Sequence, residues 1–125
     1  MSEFEVVEGR ASTGREERLR LAIAGLAEVP PSAEEAKRRP ARPGFAENLV
    51  FEFDEAYTAF VEGFETLPSE EQLLALQALD THVSAMVRAR DAALWTERAR
   101  REDAPWQEVR VLAARVLRVF EWPPR

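Results

Sequence analysis

The chain of 125 residues has no cysteine. That excludes disulfide frameworks and thiolate–metal sites and leaves the redox compartment open. A single histidine, His82, is the only imidazole, so the donor set for a transition metal is poor and no metal or other cofactor is expected. The five glycines, Gly9, Gly14, Gly25, Gly44 and Gly63, are scattered, which rules out a glycine-rich phosphate loop, and no Gly-x-Ser-x-Gly elbow appears. No apolar run approaches the roughly 20 residues that cross a bilayer. The start, Met1-Ser2-Glu3-Phe4-Glu5, is acidic and lacks the basic and apolar regions of a signal peptide. The expectation is a cytoplasmic location with no membrane partner.

The most informative absence is of positive charge. Between Arg42 and Arg88 there is no lysine or arginine, yet this stretch carries nine acids: Glu47, Glu52, Asp54, Glu55, Glu62, Glu65, Glu70, Glu71 and Asp80. From Arg88 onward nine arginines face six acids, and the first 42 residues balance at eight and eight. The net charge of −6 is therefore segregated along the chain, and such segregation decides which partners a surface attracts. Apolar residues make up 46%, enough for one domain of this length to bury a core without staples.

Helical periodicity dominates what is present. Over Phe45 to Leu67, the residues Leu49, Val50, Phe53, Ala56, Tyr57, Phe60, Val61, Phe64 and Leu67 fall on one arc at 100° per residue. Glu47, Asp54, Glu55, Glu62 and Glu65 lie opposite, Glu52 sits at the edge, and only Phe51 breaks the pattern. An arc this wide suits a helix packed on two or three neighbours. Leu67-Pro68 ends it, because proline disfavours helical geometry in the preceding residue. Ser69-Glu70-Glu71-Gln72 then matches a capping box, opening a third helix from Glu70 to about Arg101 with Leu73, Leu76, Leu79, Val83, Met86, Val87 and Leu94 on its buried stripe. Asp103-Ala104-Pro105 breaks the chain. A fourth helix, Pro105 to about Glu121, aligns Trp106, Val109, Leu112, Ala113, Val116, Leu117, Val119 and Phe120, and Trp122-Pro123-Pro124 stops it.

The first helix is read as Gly14 to about Glu28, opened by Thr13-Gly14-Arg15-Glu16 and buried along Leu19, Ala22, Ile23 and Leu26. Residues 1–12 read as a flexible or extended tail and 13–125 as a single helical domain. The proline-rich connection from Val29 to Gly44 holds room for a short helical turn at Ser32-Ala33-Glu34-Glu35. The predicted fold is all-α, a compact bundle of four main helices, with the second and third antiparallel across the short link at Pro68.

The chemistry-bearing residues are few. No carboxylate shares the local face of His82, so no catalytic residue is expected and the chain reads as non-enzymatic. Parallel carboxylates on a helix side do not converge as a calcium or magnesium site requires. Arginines lie near Trp95 and Trp106, as in single-strand binders, but interspersed acids and a pI near 4.9 argue against a nucleic-acid partner. Asp80 and Arg90 sit in the stripe of the third helix, about 15 Å apart along its axis. Each therefore needs a partner on another helix, solvent or a cleft.

Elimination leaves an acidic protein-binding module, of the adaptor, inhibitor or immunity type, with Glu55, Glu62 and Glu65 as the partner-binding face. Its partner would be a basic protein or a second copy of the chain. One alternative is a small-ligand-binding or enzymatic bundle with a cleft around Asp80, Arg90 and His82. The other is a self-associating structural subunit in which the acidic block of one copy meets the arginine block of another.

Overall fold

The structure, a computed structural model, describes residues 2–63 and 67–122, with side chains from residue 14 onward. Phe64 and Glu65, both assigned roles above, and the Pro123-Pro124 stop lie outside the described residues. Among the described residues every regular element is helical: α1 Ser2–Ala27, α2 Ala33–Arg38, α3 Phe45–Gly63, α4 Glu70–Arg88, a 3-10 turn Ala92–Trp95, α5 Glu97–Glu102 and α6 Ala104–Val119. The all-α bundle of four long helices expected from periodicity is the observed fold.

Local chemistry accounts for most element ends. Ser32 accepts from the Glu35 N–H at 3.2 Å and starts α2, the turn anticipated in the proline-rich connection. Gly44, at φ +78°, turns the chain into α3, a conformation that costs glycine little. The capping box at Ser69 is complete: its hydroxyl accepts from Gln72 N at 3.1 Å, and the Gln72 side chain accepts from Ser69 N at 2.9 Å. The Gln72 amide also donates to the Val119 carbonyl at 3.1 Å, tying the start of α4 to the end of α6.

Two boundaries differ from expectation. α1 begins at Ser2, so Thr13 lies within the helix rather than at its start, and the backbone of residues 2–12 is helical where a tail was expected. This segment contains no proline and is rich in Glu, which tolerates helix well. The third helix of the sequence reading does not run to Arg101. It stops at Arg88, and Arg90 adopts a left-handed φ of +51°. Asp91 then accepts from Ala93 N at 3.0 Å to open the 3-10 turn, and Thr96 accepts from Ala99 N at 3.0 Å to open α5. Side-chain capping outcompetes the helical pattern at both points. Trp106 locks the break: its Nε1 donates to the Leu94 carbonyl at 2.6 Å, and its ring meets Trp95 edge-on, centroids 5.8 Å apart.

The second and third helices of the sequence reading, α3 and α4, lie side by side as antiparallel neighbours, with residues 47–54 of one across from 80–88 of the other, but the close backbone packing is elsewhere. α1 packs on α3 and on α6, and α6 packs on α4. The backbone order is α3–α1–α6–α4, with α1 and α6 in the middle. Leu19, Ile23, Phe53, Leu76, Leu79, Trp106, Val109 and Val116 are fully buried between them. The backbones of α3 and α4 stay apart, although Val50 and Phe53 of α3 and Val83 of α4 line one shared hollow. The side of the bundle between α3 and α4 is therefore its open seam.

Candidate functional site

The acidic helix α3 presents three sides. Val50, Phe53, Ala56 and Phe60 are buried, and Phe53 stacks on Tyr57 with centroids 5.6 Å apart. The outward side carries Glu47, Phe51, Glu55 and Glu62, all exposed. Phe51, the residue that broke the amphipathic pattern, is 58% exposed in the middle of that acidic side. An aromatic ring left in water among carboxylates is the unusual feature, since most surface apolar residues occur singly without consequence.

Toward α1 the acids meet internal cations. Arg18 pairs with Glu55 at 3.3 Å, and the Arg15 side chain lies against Gly63. Asn48 Nδ2 donates to Glu52 at 3.2 Å. Of the three residues assigned to the partner face, Glu55 thus has an intrachain cation, Glu62 is exposed, and Glu65 is outside the described residues. The Arg18–Glu55 pair is itself exposed on both sides, so it contributes little to stability and can exchange for an external cation.

Toward α4 the acids form no ion pair among the described residues. The hollow at the open seam has a volume of about 750 Å³. Val50, Phe53, Val83 and Trp95 form its apolar walls, with Phe51 and Val87 at its lip. Glu47 and Asp54 stand on the α3 bank, Asp80 on the α4 bank, and Arg88 also lines it. Among the described residues neither Glu47, Asp54 nor Asp80 forms an ion pair. Burial, then the neighbouring charge of Asp54, pushes the Asp80 carboxyl pKa up. Burial and the Asp80 charge likewise raise that of the Tyr57 hydroxyl. Both shifts have the sign expected where negative charge is concentrated beside apolar surface without a compensating cation.

Asp80, Arg90 and His82 do not converge. Asp80 faces the seam. Arg90 is exposed in the left-handed link after α4 and is no longer part of a helical stripe. His82 is half-buried on another side, where its Nε2 lies 2.8 Å from the Pro105 carbonyl; a carbonyl only accepts, so Nε2 holds the proton. That contact staples α4 to the start of α6. Among the described residues no cluster of three potential metal ligands forms, and no helix is long and apolar enough to cross a membrane.

Three arginines of the arginine-rich block make internal contacts. Arg100 is buried, pairs with Glu97 at 3.0 Å, and places its guanidinium 5.0 Å over the Phe45 ring. Arg110 donates to the Arg100 carbonyl at 2.7 Å, and burial beside Arg100 pulls its pKa down. Arg98 pairs with Glu102 at 3.0 Å. Arg115 and Arg118 remain exposed on the outer side of α6 beside Val111, which is 61% exposed.

The sequence reading did not single out Glu47, Phe51, Asp54 and Val87 as one site. Phe51 was the legible signal, as the only apolar residue on the acidic side. That α4 lies beside α3 was expected from the short link at Pro68; that a hollow opens between them is not carried by periodicity. Comparison with known proteins finds no matching family model, no matching curated protein and no matching solved structure.

Proposed function

We propose that the chain is a non-enzymatic protein-binding module that captures a basic protein partner through the carboxylate-rich side of α3, centred on the seam with α4. The observation that carries this reading is the set Glu47, Asp54 and Asp80. These acids rim an apolar hollow and form no ion pair among the described residues, although Arg88 also lines it, while Glu55, on the other flank, is already paired with Arg18. Apolar anchors inside a charged rim are how binding surfaces combine affinity with orientation. Rim charges of one sign speed encounter with a partner of the other. Glu62 extends the same negative surface along α3.

Self-association is the second reading, favoured by exposed Arg115 and Arg118 beside Val111 on α6. The packing order weighs against it. α3 and α6 are not neighbours in the row, so contact between the acidic side of one copy and the α6 side of another joins two different patches. Such a contact is heterologous and propagates unless its rotation happens to close a ring.

The test is capture from host extract at low and high salt, followed by rebinding of the purified partner. Wild type is compared with Glu47→Lys/Asp54→Lys and with Glu55→Lys/Glu62→Lys. Salt-weakened capture, lost most in the seam variant, is expected. A purified partner whose binding is indifferent to salt and to both variants would overturn the reading.

A further inference from the structure

Resting on that reading of the seam, we infer that its occupant is a cationic amphipathic helix: one apolar row with lysine or arginine along the flank that meets α3 and at the position that meets Asp80. The walls of the hollow belong to α3 and α4, whose backbone groups are engaged in their own helices. An extended peptide laid there would find no strand edge among the described residues, and its amides would face Val50, Phe53, Val83 and Trp95 unpaired. Unpaired backbone groups against apolar surface are costly. A helix brings its backbone bonds with it and offers only side chains, as in other helix-in-groove complexes.

Length and charge agree with this choice. From Glu47 to Asp54 the α3 bank extends about 10 Å, close to two helical turns, which matches an apolar row at i, i+4 and i+7. A hollow of about 750 Å³ admits such a row. Glu47 and Asp54 on the α3 bank face one flank of the entering helix, which must be basic; the α4 bank carries Asp80 and Arg88, so the other flank needs a basic group only where it meets Asp80. Phe51 and Val87, exposed at 58% and 51% at the lip, cover the apolar row once it is seated. An acidic or neutral amphipathic helix would bring like charge or none to three carboxylates and would be rejected or held weakly.

The experiment titrates the full chain with three synthetic peptides of equal length: a Leu-row helix with Lys and Arg flanks, the same peptide with two central prolines, and the same row with Glu flanks. The readouts are emission from Trp95, which lines the hollow, with Trp95→Phe as the control for signal from Trp106 and Trp122, and the helicity gained on mixing. The expected result is saturable binding of the basic helix alone. About ten-fold or greater weakening is expected for the proline peptide, and for Glu47→Lys/Asp54→Lys with the basic helix. Equal binding of the proline peptide overturns the helical occupant while leaving the acidic seam in place. Binding of the Glu-flanked peptide, or binding that is the same in the charge-reversed variant, overturns the charge assignment. If the basic helix fails to bind while a native partner is still captured in a seam- and salt-dependent way, this inference fails and the broader function stands. If native capture ignores the seam, the broader function fails.

Discussion

Phe51 and Phe53 are two residues apart on α3 and have opposite fates: 58% exposed and fully buried. Phe53→Ala leaves a cavity between helices and is expected to cost about 3–5 kcal/mol in chemical denaturation. Phe51→Ala is expected to stay within about 0.5 kcal/mol of wild type, while weakening partner capture. A large stability loss at Phe51 would mean that its ring is part of the core. Asp80 supplies a pH signature. Its folded pKa is raised, so between the ordinary carboxylate value of about 3.9 and the raised value the folded state holds more protons than the unfolded one. Stability from this group therefore falls as pH rises through that window, and stays lowered above it. Asp80→Asn should stabilise the protein at neutral pH, and the gain should vanish under more acid conditions. Denaturation midpoints across pH check this, and a destabilised Asp80→Asn at neutral pH contradicts it. His82→Ala removes the bond to the Pro105 carbonyl and should cost about 1 kcal/mol without changing capture; loss of capture by a folded variant would revive a functional role for the imidazole.

At the scale of elements, the ends of helices are set by single side chains. The Ser69 box was legible because Ser-x-x-Gln next to a proline is a local code. The break after Arg88 was not, because Leu94 continues the apolar spacing of α4 across it. The decisive contacts there are the Asp91 and Thr96 caps and the Trp106 bond to the Leu94 carbonyl, which spans twelve residues. Asp91 and Thr96 were cap-forming residues in plain view, masked by a periodicity that favoured one long helix. Arg90 bears the strain of the turn at φ +51°, where a side chain costs about 1 kcal/mol relative to glycine. Arg90→Gly is therefore expected to raise stability modestly, on the order of 0.5–1 kcal/mol after the glycine's own entropy is counted. A thermal melt shifted downward would show that the Arg90 side chain makes a stabilising contact. Ser69→Ala should lower stability by about 1 kcal/mol.

At the scale of the whole molecule, fold class and charge layout were legible and the site was only half so. Periodicity identified which side of α3 is buried and which is acidic. The short link at Pro68 put α4 beside α3, but periodicity could not say that a hollow would open between them, or that Arg18 of α1 would neutralise Glu55, because both depend on how α1 and α6 pack against the pair. The acidic block is consequently divided: Glu55 on one flank pairs with Arg18 of α1, and the acids on the other line a hollow without forming an ion pair among the described residues. Binding at that hollow should weaken steeply with salt, since exposed charges are screened beyond about 10 Å at 0.1 M.

The most direct test of the seam as the binding face is mapping of backbone amide chemical shifts as the basic amphipathic helix is added. The expected result is saturable change concentrated at Glu47, Val50, Phe51 and Asp54 of α3, at Asp80 and Val87 of α4, and at Trp95. Changes concentrated instead at Val111, Arg115 and Arg118, or absent at saturating peptide, would contradict it.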